Sequence, residues 1–260
     1  AMTNAQPNPT NARSAPIDGR TPLTEGHAMR HATRHSISAF TAPLRRELAV
    51  GFIAIAVLLT VGRFLFLEGS TWNMLGLLAT ALLFAMCGHR SSAAKALDVP
   101  AKAWFTGFAI VAVVWSIALG LLAVGATWLN WRTKPEYARS DAFFVTADPG
   151  TPFIVPQGQS QMGGGGGAVS WSLTILVLVT CFLAACAIGA ALGAIAAHWG
   201  AVTAIVTAAV AFGIALAAAF SIFEAGYRIE APYPGVLVFG LPAAAVATII
   251  LWFTADRLEP

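Results

Sequence analysis

Runs of apolar residues about as long as a bilayer is thick are the feature that most constrains this chain. A helix needs roughly 20 apolar residues to cross the hydrocarbon core of a membrane, and runs near that length recur through the 260 residues. Only 10% of the residues are charged, whereas about 25% are charged in a typical soluble domain. The sequence therefore predicts an all-α polytopic membrane protein.

The apolar runs predict six transmembrane helices with both termini in the cytoplasm. The spans are expected at about 49–67, 72–88, 103–128, 170–197, 201–222 and 235–254. A short interfacial helix at 39–48 leads into the first span, so the transmembrane domain covers 39–255. The other parts are a disordered basic arm at 1–38, a long polar outer loop at 129–169 and a cytoplasmic tail at 256–260.

The distribution of Lys and Arg predicts the orientation. Cytoplasmic loops of membrane proteins carry an excess of these residues. With the N-terminus inside, the cytoplasmic segments hold Arg13, Arg20, Arg30, Arg34, Arg45, Arg46, Arg90, Lys95, Lys102 and Arg257. The outer loops hold Arg132, Lys134, Arg139 and Arg228. This bias places the termini and the polar stretch 87–102 in the cytoplasm.

One basic residue, Arg63, lies inside the first predicted span. A charge within the membrane is a functional hypothesis by default. Because Arg63 is near the outer end of the span, we expect its side chain to snorkel to the interface, towards Glu68. The outer segments contain the acidic residues Glu68, Glu136, Asp141, Asp148, Glu224 and Glu230. We interpret these as solvated loop charges, with a substrate-facing rim as the alternative.

The loop 87–102, CGHRSSAAKALDVPAK, is longer than a plain turn. Ser91 and Ser92 are good helix caps, the following Ala, Lys and Leu favour a helix, and Pro100 stops it. We predict a helix of one to two turns at the cytoplasmic surface. Its basic residues are available to lipid headgroups or to an acidic groove of a protein; a lipid-anchored turn is the alternative.

The fourth predicted span has small residues at every fourth position. They are Ala185, Gly189, Gly193 and Ala197. Residues at this spacing share one helix face, and small side chains let another helix approach closely. The face is interpreted either as packing within one subunit or as a transport pathway or dimer seam.

Catalytic motifs are absent from the sequence. The five glycines at 163–167 lack the Gly-Lys-Ser/Thr of a phosphate-binding loop and predict a flexible joint. Neither a G-x-S-x-G nor an H-E-x-x-H pattern occurs. The three cysteines lie in apolar runs at packing positions, so we expect no metal site. We therefore expect a chain that is not an enzyme, holds no cofactor of its own and binds no nucleic acid.

Two short motifs and the order of the spans resemble a known family. The loop runs into KAWFTG at 102–107, where the third span begins, and the fourth span ends with Gly189, Gly193 and HWG at 198–200. With the basic N-terminal arm and six spans, this pattern is similar to a small ABC-2-type transporter permease subunit. Many members have a re-entrant outer element between the fifth and sixth spans, whereas here the long outer segment follows the third.

The resemblance implies a plasma-membrane exporter in which the first cytoplasmic loop is a coupling helix. The residues that would meet the ATPase are Arg90, Ser91, Ser92, Lys95, Leu97 and Asp98. No Walker motif is present, so the ATPase, with its ATP and Mg²⁺, would be a separate subunit. Six spans form half a pathway, so a second permease subunit, the same or related, is expected.

Two other functions stay open on the sequence. One is a non-transporting integral membrane anchor or assembly subunit of a larger complex, with the polar loop 129–169 as its working surface. The other is a membrane enzyme, which the lack of buried acid–base clusters disfavours.

Overall fold

The computed structural model describes residues 33, 36–63, 69–91, 98–134, 141–145, 154–156, 166–225, 227–229 and 240–256. The α-helices in these ranges are α1 (Arg45–Val57), α2 (Gly69–His89), α3 (Ala101–Thr133), α4 (Ala168–Trp199), α5 (Ala201–Glu224) and α6 (Leu241–Asp256). Two three-residue strands, β1 (Ile154–Pro156) and β2 (Tyr227–Ile229), pair antiparallel. In their register Val155 lies opposite Arg228. This strand pair was not predicted from the sequence.

Four helices are long and apolar enough to cross a membrane: α2, α3, α4 and the Ala201–Ala218 part of α5. The chain is therefore a multi-pass, helical membrane protein, as predicted. The predicted second, third and fourth spans lie inside α2, α3 and α4, and the predicted fifth span, 201–222, lies inside the full length of α5. α1 is followed by a π-helix, Leu58–Gly62, and the apolar part of α6 has only 14 residues, Leu241–Thr254. Six spans with cytoplasmic termini stay a prediction.

The helical bundle has two ends, and Arg90 and Asp141 lie at opposite ones. Arg90 follows the last residue of α2 and donates a hydrogen bond to the carbonyl of Pro43, ahead of α1. Asp141 contacts Arg63, beyond α1, at the end where α2 begins. We call these the Arg90 end and the Asp141 end.

The tightest contact in the bundle is between α2 and α4. A Cβ atom added at Gly189 would overlap the backbone of Ala81 in α2. One added at Gly88 would overlap the carbonyl oxygen of Ala190 in α4. Because glycines on both helices face the backbone of the other, the two helices are in backbone contact, the arrangement that small residues permit in membranes.

The segment before α1 packs into the bundle. Residues 36–41 are helical, and a 3-10 helix, Ala42–Leu44, joins them to α1. Phe40 is only 2% exposed, and its ring lies 5.4 Å from that of Trp104 and 5.8 Å from that of Phe108. The segment predicted as a short helix at 39–48 is thus helical, but a 3-10 turn at Pro43 interrupts it and Phe40 faces the core; its position at a membrane interface stays a prediction. Within the predicted arm 1–38, residues 1–32, 34 and 35 lie outside the described residues.

Helix α5 stands apart from the rest of the bundle. A single residue, Gly200, joins it to α4 with a positive φ of 88°. Among the α5 residues whose side chains are described, only Ala204 is buried, and large apolar residues such as Val202, Phe212 and Ile214 are exposed. A helix that is apolar on all sides and exposed in the protein matches a lipid environment.

Candidate functional site

The most unusual feature of the interior is an ion pair between Arg63 and Asp141. Nη2 of Arg63 donates to Oδ2 of Asp141, and both side chains are at most 1% exposed. The snorkelling predicted for Arg63 is therefore wrong, as is the solvated position predicted for Asp141. A buried guanidinium is costly without a counter-charge, and the Asp141 carboxylate supplies one. The predicted partner, Glu68, lies outside the described residues.

The start of α2 is shaped around this pair. Gly69 has no room for a side chain, since a Cβ there would overlap both the Arg63 guanidinium and the Asp141 carboxylate. The next residue, Ser70, donates to Oδ1 of Asp141 at 3.3 Å and accepts from the backbone N–H of Ala142 at 2.8 Å. On the other side of the pair, the π-helix Leu58–Gly62 directly precedes Arg63, and such π-bulges are frequent at functional sites.

Residues 141–145 form a plug that is inserted into the Asp141 end. Phe143, Phe144 and Val145 are buried, and Phe144 lies between the rings of Trp131 and Trp171, at 5.3 and 4.9 Å. The plug is also fixed to α4. The N–H of Val145 donates to Oγ1 of Thr174 at 3.0 Å, and Ser170 donates to the carbonyl of Val145.

Several polar atoms inside the bundle have no hydrogen-bond partner among the described residues. They are Nε and Nη1 of Arg63, both amide atoms of Asn73, Oγ1 of Thr80 and Nε1 of Trp115. By contrast, Ser116 donates to the carbonyl of Ala112 at 2.6 Å. Buried polar groups nearly always have partners; two of these residues, Asn73 and Thr80, lie on the buried face of α2. Sequence reasoning missed Asn73 and Thr80.

Half of the predicted coupling-loop residues are described. Arg90 binds the Pro43 carbonyl at 3.0 Å, and Ser91 is buried at 8% exposure. Asp98 has a positive φ of 53°, a conformation that Asn and Asp tolerate better than most residues. Ser92, Lys95 and Leu97, with the short helix predicted there, lie outside the described residues.

Pro100 lies immediately ahead of α3. Its carbonyl accepts from the N–H groups of Ala103 and Trp104 at 2.9 and 3.1 Å, which starts the helix. The position of Pro100 thus defines where α3 begins.

The predicted small-residue face of α4 packs within the chain at its two glycines. Gly189 and Gly193 meet the backbone of α2 at Ala81 and Ala85. Ala185 is buried, whereas Ala197 is half-buried. At Gly189 and Gly193 the face packs against α2 of the same chain. A further role of this face in a dimer seam or a transport pathway stays a prediction.

One feature of the sequence indicates that residues 141–145 are buried. Asp141 begins DAFFV, an apolar run inside an otherwise polar outer loop. An intramembrane arginine requires a nearby carboxylate, and an acidic residue followed by buried aromatic residues satisfies that requirement. Distance along the chain concealed the pair, because 78 positions separate the two residues.

Within the described residues, no group of three or more His, Cys, Asp or Glu side chains is placed to hold a metal ion. The three cysteines are free thiols. Comparison with known proteins found no matching family model, curated protein or solved structure.

Proposed function

We propose that this chain is the permease subunit of an ABC-2-type exporter in the plasma membrane. A separate ATPase subunit would bind ATP and Mg²⁺ and hold the coupling loop. A second permease subunit, the same or related, would complete the pathway. The chain itself would carry out no chemistry.

One observation carries this proposal: helix α2 connects the coupling loop to the buried ion pair. At one end α2 continues into Arg90 and Ser91. At the other end it starts with Gly69 and Ser70, which contact the Arg63–Asp141 pair. A movement applied to the loop therefore reaches the Asp141 end along one helix, over 21 residues, or roughly 30 Å at 1.5 Å per residue.

The contacts at the Arg90 end support the proposal because they connect the coupling loop to the segment before α1, and that segment to α3. Arg90 binds the Pro43 carbonyl, and Phe40 packs on Trp104 at the start of α3. A partner that grips the loop would thus move the segment before α1 and the first turns of α3 together with α2.

At the Asp141 end, a movement of α2 would release the plug. The plug is bonded to α2 through Ser70 and to α4 through Ser170 and Thr174. Closing of the ATPase would shift α2, separate Ser70 from Asp141 and Ala142, and open this end to the outside. Rebinding of Asp141 to Arg63 would close it.

The path of the cargo would lie between two permease subunits. Backbone contact between α2 and α4 leaves no space for a solute along Gly189 and Gly193. Helix α5, whose described side chains are almost all exposed, would line the interface with the second subunit.

The proposal is tested by reconstituting the chain in lipid with an ABC ATPase encoded next to it. A photo-crosslinking residue at exposed Asp98 is expected to capture the ATPase, whereas the same residue at exposed Trp128, near the opposite end of α3, is not. ATP hydrolysis by the complex should fall when residues 92–97 are deleted. A chain that neither crosslinks to nor stimulates the ATPase would refute the proposal.

A second candidate, a non-transporting anchor or assembly subunit, is favoured by the fixed plug. Because residues 141–145 are held in the core, they give the polar segment between α3 and α4 a rigid base for a partner protein. Replacing 157–162 with Gly and Ser leaves the plug intact. Under this alternative the replacement abolishes partner binding, while changes in the coupling loop have no effect.

A further inference from the structure

A groove opens between three helices at the Arg90 end. It has a volume of about 580 Å³ and is formed by the end of α2, the end of α4 and the first two turns of α5. Its apolar lining includes Leu82, Met86, Leu192, Ala204, Ile205 and Ala208, and His89 and Arg90 lie at one end of it.

Small residues at several positions of α4 and α5 leave the groove open. Ala196, Ala201, Ala204 and Ala208 line it from α4 and α5, and none has a side chain long enough to reach the opposite wall. Gly200 turns the chain between the two helices in a single residue. The side chains of the protein therefore do not fill this apolar groove.

Charge distinguishes this groove from another of similar size. The groove between α1 and α3, of about 570 Å³, has only uncharged residues among those described in its lining. In the α2–α4–α5 groove, Arg90 adds a guanidinium with five N–H donors, of which the bond to Pro43 uses one. One end of the groove therefore suits a negatively charged acceptor, and the remainder suits hydrocarbon.

We propose that this groove binds one anionic phospholipid, with its phosphate at Arg90 and an acyl chain lying between α4 and α5. Basic pockets between transmembrane helices are a known way of holding anionic headgroups. The chemistry also explains why the α5 side of the groove has only alanine and aliphatic side chains. This inference does not depend on the function proposed above, because a bound lipid would stabilise α5 in any membrane role.

Native mass spectrometry of the full chain tests the proposal. The protein is extracted from vesicles of equal parts phosphatidylglycerol and phosphatidylcholine, and the lipids that stay bound are counted. The wild-type chain is expected to keep one phosphatidylglycerol. Arg90→Gln should lower that occupancy about tenfold, the size expected for a lost charge-assisted hydrogen bond, while Arg90→Lys keeps most of it.

Matched controls separate the groove from general lipid contact. Ala208→Trp fills the groove and should remove the bound lipid, whereas Ala209→Trp, on the adjacent exposed position of α5, should not. Arg132→Gln removes an exposed charge near the opposite end and should also leave binding unchanged. A uniform elution profile and circular dichroism spectrum show that each variant is folded.

Three results would overturn the proposal. Equal retention of the two lipids would mean that the groove holds neutral lipid without using Arg90. Unchanged phosphatidylglycerol in Arg90→Gln would remove the arginine from the site. Loss of a dimer in Ala208→Trp, with no change in bound lipid, would assign the groove to a second copy of the chain.

Discussion

The Asp141 carboxylate and the Arg63 guanidinium pair inside the bundle, where neither side chain is more than 1% exposed. The pair holds the plug against the first turn of α2, because Ser70 and the N–H of Phe143 also donate to Oδ1 of Asp141. Asp141 therefore has several donors, whereas Nε and Nη1 of Arg63 have no partner within the described ranges. The pair depends on both members to keep the buried charges compensated.

Removing both members of the pair should cost less than the two single removals added together. We expect Arg63→Met or Asp141→Asn alone to lower the free energy of unfolding by about 3–5 kcal/mol, since a buried charge is left alone. The double variant should lose less than the sum of the two single losses. Unfolding in mixed micelles by sodium dodecyl sulfate measures this, with Arg132→Gln as the exposed control. Simple additivity would contradict an energetic coupling between the pair.

The glycines between α2 and α4 should be sensitive to a single methyl group. Gly189→Ala places a Cβ against the backbone of Ala81 and should cost about 1–3 kcal/mol of unfolding free energy through overpacking. Gly213→Ala is the matched control on α5, where a Cβ meets open space. There we expect no loss, and up to about 1 kcal/mol of gain from helix propensity. Equal effects at the two sites would contradict backbone contact between α2 and α4.

Replacing the unpartnered polar side chains of α2 should raise stability, even if it lowers activity. Asn73→Leu with Thr80→Val removes three buried polar atoms that have no partner in the described structure. Because each such atom costs about 1–3 kcal/mol, the double variant should unfold at a higher temperature. If Asn73 and Thr80 serve transport, export activity should fall at the same time. Ser116→Ala, which removes a hydroxyl already bonded to Ala112, is the control and should not raise stability.

The coupling loop is best tested at Asp98, whose φ is positive. Asp98→Asn removes the charge but retains a residue that tolerates this backbone conformation. Asp98→Lys reverses the charge, and Asp98→Gly tests the backbone alone. We expect ATPase coupling to fall most in Asp98→Lys and least in Asp98→Asn, measured as ATP hydrolysed per molecule exported. The same coupling ratio in all three variants would exclude Asp98 from the ATPase contact.

The buried segment before α1 should be essential for folding. Phe40→Ala leaves a cavity between Phe84, Trp104 and Phe108 and should cost about 3–5 kcal/mol. Val50→Ala, at a position 66% exposed on α1, should have little effect. The midpoint of thermal unfolding of the purified chain gives the comparison, and a small effect at Phe40 would place the segment outside the cooperative core.

The sequence predicts the helices far better than the contacts between them. The limits of α4, Ala168 and Trp199, are within two residues of those predicted at 170–197, because an apolar run ends where polar residues begin. The spacing of Gly189 and Gly193 likewise indicated a close helix contact. These features depend on local composition and on the helical repeat, both of which are readable along the chain.

The candidate site could not be predicted in the same way. Arg63 and Asp141 are distant in the chain, and a loop carboxylate is ordinarily solvated, so only the tertiary fold brings them together. Phe40 was likewise predicted to lie at the membrane interface. The sequence alone does not reveal that the chain departs from α geometry at Pro43 and that the Phe40 ring packs against Trp104. In both cases a segment outside the predicted spans folds back into the bundle, and hydropathy does not reveal which residues it contacts there.

Backbone contact between α2 and α4 also provides a means of recognising relatives of this chain. Chains that share the fold should lack large side chains at the positions of Gly88, Gly189 and Gly193, whatever their overall identity. They should also carry a basic residue at the position of Arg63 whenever an acidic one occupies that of Asp141. We expect such paired constraints to persist in divergent sequences after the exposed residues of α5 have become unrecognisable, since any apolar side chain suffices there.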